Sequence, residues 1–207
     1  MKKRVILMLA TVLMALTVMA DETPNERQAR RIFDSAYNQV YGEQGATLTY
    51  DVNIIGLYKT KGTITIKGKK QRFTDERVDT WNDGVTAYMA YRKKGTVEIH
   101  AANSDKKDKY SGRFKFVPDD FTYHVSSEKD GLLLTLKQRK GAKGSIKEVK
   151  VLVERGTYAP KRLRIKVAFV WTTIKISNFH SGGISDDTFV FPRSRYKDWQ
   201  FVDKRKD

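Results

Sequence analysis

Thr47-Leu-Thr-Tyr-Asp-Val-Asn-Ile54 is the stretch that decides the fold. Leu48, Tyr50, Val52 and Ile54 alternate with Thr47, Thr49, Asp51 and Asn53. A strand with one dry and one wet face imposes a period of two on its side chains. Immediately upstream the period is different. Ala29, Ile32, Phe33, Ala36, Tyr37 and Val40 recur at the spacing of a single face of an α-helix. Thr23-Pro24-Asn25-Glu26 supplies the start of that helix: Thr23 as N-cap, Pro24 at the first helical position and Glu26 as the return arm of a capping box. Gly42 supplies the stop. One face of the helix must therefore cover apolar surface, while Arg27, Arg30 and Arg31 point to water.

Downstream the period of two persists. Ile64 and Ile66 alternate with Thr63, Thr65 and Lys67 after a break at Lys61-Gly62. Asn82-Asp83-Gly84 separates strand-like 78–81 from 86–91, a hairpin signal. Lys93-Lys94-Gly95 ends that second run, and another strand reads at 96–100. Further strands read at 121–126, 132–138, 146–154, 163–169, 172–179 and 188–191. Turn residues intervene roughly every 8–12 residues, as in one large antiparallel sheet, a sandwich or a barrel. No helical pattern separates most of these strands, which excludes a parallel α/β sheet. The segment 102–120 carries the least pattern: 103–109 is a charged connection, and 110–117 reads as a strand or a short helix.

The amino terminus reads as an address. Met1-Lys2-Lys3-Arg4 precedes an apolar run from residue 5 to 18, broken by Thr11 and Thr17, and Val18-Met19-Ala20 fits a cleavage site. This is the pattern of a signal peptide, residues 1–20, with Asp21 as the mature terminus. The run is shorter than the ~18–20 residues of a spanning helix. Residues 21–207 are then one exported domain, placed in the periplasm and large enough to bury a core without staples. The 207-residue chain carries 40 Lys and Arg against 24 Asp and Glu, a net +16. Loss of Lys2, Lys3 and Arg4 leaves 37 against 24, or +13. The absence of cysteine excludes a disulfide framework, a thiolate metal site, a thiol nucleophile and an acyl-cysteine anchor.

No catalytic pattern is visible, so no enzyme activity and no cofactor or metal is expected. His100, His124 and His180 are scattered outside any metal-ligand spacing. Asp119-Asp120 and Asp186-Asp187 sit in turn-like contexts and read as turn or cap residues. Gly141-Ala142-Lys143-Gly144 lies between strands without a following helix and reads as a hairpin loop. Arg162, Arg164 and Lys166 lie opposite Leu163, Ile165 and Val167, a basic stripe on a wet sheet face. The strands hold more apolar surface than one helix can cover. The sheet must close on itself, meet a second layer or enclose a ligand.

Three local patterns, in order, resemble one family. Gly62-Thr-Ile-Thr-Ile-Lys67 with Arg72-Phe73 resembles its early strand pair. Asn82-Asp83-Gly84-Val-Thr-Ala-Tyr88-Met-Ala-Tyr91 with Val97-Glu-Ile99 resembles its central hairpin. Asp186-Asp187-Thr188-Phe189-Val-Phe191-Pro192 with Phe201-Val202-Asp203 resembles its close. Together with the signal peptide and the single helix, they resemble the LolA-type periplasmic carriers of outer-membrane lipoproteins. The resemblance implies an α+β fold: an incomplete antiparallel β-barrel, a large curved sheet with an N-terminal amphipathic helix and short lid helices. It also implies an apolar cavity. Its wall, from strand phase, is Leu48, Tyr50, Val52, Ile54, Ile64, Ile66, Phe73, Tyr88, Val97 and Ile99, with Ile32 and Phe33 from the helix and Arg72 as a lid contact.

The implied partners are acylated lipoproteins, an inner-membrane ABC lipoprotein exporter and an outer-membrane receptor, with no nucleic acid and a monomeric carrier. Each acyl CH₂ gains ~0.8 kcal/mol on burial, so the chains cannot cross water unshielded. The sequence departs from the family where its Arg-Pro pair aligns with Gly68-Lys69-Lys70. It departs again where polar 103–109 replaces a Leu-rich lid. Alternatives are a lipid or lipoprotein sensor on the same fold, a basic polysaccharide-binding envelope module, or a hydrolase using the dispersed histidines.

Overall fold

The structure, a computed structural model, describes residues 22–54, 58–104 and 116–205, the side chains of Ile54 and Tyr58 excepted. The proposed signal peptide lies outside the described residues, as does most of the low-pattern segment (105–115). Helix α1 (Pro24–Tyr41) begins where its cap residues predict: the Thr23 hydroxyl accepts the Glu26 amide at 3.1 Å. It stops at Gly42, whose amide donates to the Asn38 carbonyl.

The chain then runs through β1 (Ala46–Ile54), β2 (Tyr58–Lys67), β3 (Lys70–Asp75), β4 (Val78–Asn82), β5 (Thr86–Tyr91) and β6 (Thr96–Ala101). It continues through β7 (Phe121–Glu128), β8 (Gly131–Gln138), β9 (Ile146–Val153), β10 (Pro160–Val167), β11 (Val170–Ser181) and β12 (Gln200–Asp203). These strands form one sheet in the order β12-β6-β5-β4-β3-β2-β1-β11-β10-β9-β8-β7. Two meanders, β1–β6 and β7–β11, join along the β1–β11 seam. The outermost strands β12 and β7 do not pair with each other, so the sheet is open. Every pairing is antiparallel except that of β12 with β6, which is parallel. The architecture is the α+β arrangement expected: a large, mostly antiparallel, unclosed sheet with one N-terminal helix and short C-terminal helical turns.

Alternation divides the sheet into two faces. The face toward α1 carries the larger core. Ala29, Ile32, Phe33 and Ala36 are buried against Phe121, Tyr123, Val125, Leu134, Leu136, Val149 and Val151, with Leu163 and Ile165 of β10 at its margin. The helix also caps the sheet edge. Asn25 donates through Nδ2 to the Val125 carbonyl at 2.9 Å and accepts the Val125 amide through Oδ1 at 3.0 Å. Its side-chain amide thus stands in for a neighbouring strand, supplying the partners that a bare edge lacks.

The outer face is covered at its other end by the C-terminal segment. Short helical turns at Asp186–Phe189 and Arg193–Tyr196 precede β12. Phe191 stacks on Tyr88 with ring centres 4.4 Å apart, and Trp81 meets Phe191 and Tyr196 edge-on at 5.2 and 5.6 Å. Buried Ala90 and Val97 complete this second cluster. Asp186 fixes the segment to the β2–β3 hairpin by accepting from the Lys67 and Lys70 ammonium groups, each at 2.8 Å. These bonds draw its carboxyl down to about 2.

Three expectations are corrected. Gly62 does not break a strand, because β2 runs through it. A Cβ there would lie 2.2 Å from the Thr74 carbonyl oxygen and 2.4 Å from the Tyr50 hydroxyl, so glycine makes room for a neighbour rather than a turn. The run 188–191 is not a strand: its first half is the helical turn, and Pro192 follows at once. The last strand is β12, and it pairs in parallel with β6.

Candidate functional site

Register decides which expected wall residues stand together. Leu48 lies opposite Ile64, Ala46 opposite Ile66, Tyr50 opposite Gly62, and Ile64 opposite Phe73. Leu48, Tyr50, Val52, Ile64, Ile66 and Phe73 therefore share the helix-side face of β1–β3. On the far side of the seam, Ile176 and Ile174 pair with Tyr50 and Val52 and extend the same face. Tyr50 and Phe73 stack with ring centres 5.5 Å apart. Leu48, Tyr50 and Ile66 are buried, whereas Val52, Ile64, Phe73, Ile174 and Ile176 are only half-buried. Ile54 ends β1, and its side chain lies outside the described residues.

The rest of the expected wall lies elsewhere. Phe73 is opposite Thr80, and Thr80 opposite Met89. The helix-side face thus continues through Ala87, Met89 and Tyr91. Tyr88, Val97 and Ile99 occupy the outer face, where Tyr88 pairs with Trp81 and Val97 with Ala90, beneath the C-terminal aromatic segment. The expectation that they line one wall with Leu48 and Ile64 is corrected by this register. Ile32 and Phe33 are on the helix side but are packed over the β7–β9 half, with Phe33 5.4 Å from Tyr123.

Arg72 is also on the outer face. Its guanidinium lies 3.8 Å from the centre of the Trp81 ring, donates to the Phe73 carbonyl at 2.6 Å and reaches Asp79 Oδ1 at 3.2 Å. Asp79 further accepts from Thr74 at 2.9 Å and from Arg92 at 2.6 Å. Burial pushes the Asp79 carboxyl up, but the hydrogen bonds from Thr74, Arg92 and Arg72 outweigh it and hold the group below its ordinary value. Arg72 therefore braces the layer beneath the C-terminal segment and stands on the opposite face from the apolar strip.

At the other end of the strip, Asp75 is fully buried and accepts from Arg77 at 2.7 Å and from the Val78 amide at 2.9 Å. Burial, reinforced by the Asp75 charge, pushes the Tyr50 hydroxyl up to about 12. The three histidines sit on β6, β7 and β11, far apart in the sheet order. His100 is buried and bonded to Glu98 at 3.1 Å. Among the described residues no group of three His, Asp or Glu side chains could hold a metal ion.

The geometry is that of a helix-backed open sheet with an apolar strip at its centre. An uncharacterized conserved protein from Thermus thermophilus superposes with a TM-score of 0.59 at 12% identity, over 86% of this chain and 99% of that one. MucB superposes with a TM-score of 0.50 at 9% identity, over 82% of this chain and 64% of that one. A LolA superfamily protein from Nitrosomonas europaea gives 0.39 at 8% identity, over 80% and 98%. At these identities the likeness is one of fold alone. No family model and no curated protein matches the sequence.

Sequence reasoning missed the outer aromatic cluster. Its signal was present in Phe191, Tyr196, Trp199 and Phe201, four aromatic residues within eleven positions, too many for a solvated tail.

Proposed function

We propose that this chain is a periplasmic carrier of LolA-like fold. In this reading residues 1–20 are a cleaved signal peptide, and residues 21–207 are one domain that shields the acyl chains of lipoproteins between the inner and outer membranes. The observation that carries the reading is the row of half-buried apolar side chains at the centre of the helix-side face: Val52, Ile64, Phe73, Ile174 and Ile176. Apolar side chains left partly uncovered in the middle of a sheet, beside a fully packed core, offer a place for an alkyl chain to complete the packing. An ABC lipoprotein exporter would load the carrier and an outer-membrane receptor would unload it. The chemistry required is binding and release, and no reacting group is needed.

The test is a titration of residues 21–207 with a fluorescent triacylated peptide, alongside its unacylated twin. Saturable, salt-insensitive binding of the acylated form alone is expected. Val52→Glu, which sets a charge into the strip, should abolish that binding while leaving the circular-dichroism spectrum intact. Equal binding of both peptides, or full binding by a folded Val52→Glu variant, would remove the reading.

A further inference from the structure

The β10–β11 hairpin ends in a two-residue tip, Ala168-Phe169, closed by the Val167–Val170 pair. Ala168 holds a φ of +52°, a left-handed conformation that disfavours any residue with a Cβ. The tip presents Phe169, 86% exposed, with Val170 beside it at 40%. A phenyl ring so fully in water stands out among the described residues, whose other phenylalanines are all at least half-covered.

The outer face just behind this tip is cationic. Trp171 lies between Arg164, Lys150 and Lys166, whose charged groups are 4.7, 5.6 and 5.8 Å from its ring. Beyond it a shallow groove of about 260 Å³ is lined by Lys150, Arg162 and Arg164, by Leu133 and Leu152, and by Glu128. Lys150 also meets Glu148 at 3.5 Å. Arg162, Arg164 and Lys166 have no carboxylate within ion-pair distance among the described residues. None of this belongs to the apolar strip, which lies on the opposite face.

We infer that this hairpin docks the protein on the surface of an anionic phospholipid bilayer. Phe169 and Val170 enter the headgroup–acyl boundary, Trp171 sits at headgroup level, and Arg162, Arg164 and Lys166 meet lipid phosphates. An exposed apolar tip, an amphipathic aromatic residue behind it and flanking cations form, in sequence along one hairpin, the layered match to a membrane interface. Polyanion binding alone would use the cations and leave Phe169 idle. The inference does not rest on acyl-peptide binding, since the two surfaces lie on opposite faces of the sheet.

The experiment is co-sedimentation of residues 21–207 with sonicated vesicles of phosphatidylcholine, with and without 30 mol% phosphatidylglycerol (roughly the fraction that gives a strong surface potential). Binding is expected only to the anionic vesicles. Phe169→Ser should weaken the partition coefficient about tenfold, and Arg164→Gln with Lys166→Gln about twenty-five-fold, near fivefold per charge. Both variants lie at exposed or half-exposed positions, and thermal melts check that they fold. Contact quenching of tryptophan by brominated lipid should disappear in Trp171→Phe. Absence of vesicle binding would overturn the inference. So would binding that falls with the charge variant but is unchanged by Phe169→Ser, or tighter binding to heparin that also ignores Phe169. Those last two results would mark the face as a polyanion site.

Discussion

Asn25 gives the sharpest test of how the sheet edge is protected. In Asn25→Ala the Val125 amide and carbonyl each lose a partner, at 3.0 and 2.9 Å. A net hydrogen bond is worth about 0.5–1.5 kcal/mol, so two amount to about 1–3 kcal/mol. Val125 is only 8% exposed, which limits rescue by water and favours the upper half of that range. Alanine is the better helix former, and that returns roughly 0.5 kcal/mol. The balance is a loss of about 2 kcal/mol, or ~4–8 °C in Tm for a domain of this length. Thermal melts followed by circular dichroism measure it, with Gln28→Ala on the exposed side of α1 as control. Two further readouts separate edge capping from ordinary helix stability. Hydrogen exchange at the Val125 amide should accelerate, and the variant should self-associate more at high concentration, because an unpaired edge invites another strand. A Tm within about 1 °C of wild type, with unchanged exchange at Val125, would refute the reasoning.

Two other outcomes follow from the outer layer and from β2. The folded Asp79 carboxyl titrates below its unfolded value, so its contribution is present above the ordinary carboxylate range and fades as pH falls through it. Asp79→Asn should therefore cost about 2 kcal/mol at pH 7, and the deficit should shrink towards pH 3 in urea titrations; a deficit constant with pH would contradict this. Gly62→Ala should destabilise by about 1–2 kcal/mol, the cost of overpacking less the gain from restricting the unfolded chain. Adding Tyr50→Phe should not restore the loss, since the Thr74 carbonyl still blocks the new methyl; a raised Tm in Gly62→Ala would overturn the account.

The parts of the fold legible in the sequence were those governed by local physics. The helix announced itself through Thr23, Pro24 and a 3.6-residue repeat, and the strands through alternation. What alternation cannot encode is which face of each strand turns the same way as its neighbour's. β5 has Ala87, Met89 and Tyr91 on one phase and Tyr88 and Ala90 on the other, all of them at least half-covered, so its sequence offers two plausible inner faces. The hairpin registers resolve the choice against Tyr88, and the same reasoning removes Val97 and Ile99 from the strip. Gly62 was misread for a related reason. In a sequence glycine looks like punctuation, whereas here it answers a side chain directly opposite on the neighbouring strand, twelve positions away in the chain. The Asn25–Val125 pairing joins residues a hundred positions apart, and no local pattern foretells it.

The seam between β1 and β11 has a consequence for the order of assembly. Within each meander every strand pairs with its sequence neighbour, so hairpins such as β4–β5 and β7–β8 close short loops and form early. The seam instead joins Ala46 to Ser181, and closing so long a loop is entropically costly. The two halves should mature separately and zip together last, once the β10–β11 hairpin has formed. Until then β1 presents a bare, alternating edge at the very centre of the future sheet. Slow refolding, and a vulnerability to strand-mediated aggregation confined to that interval, are thus written into the same pairing that holds the finished protein in one piece.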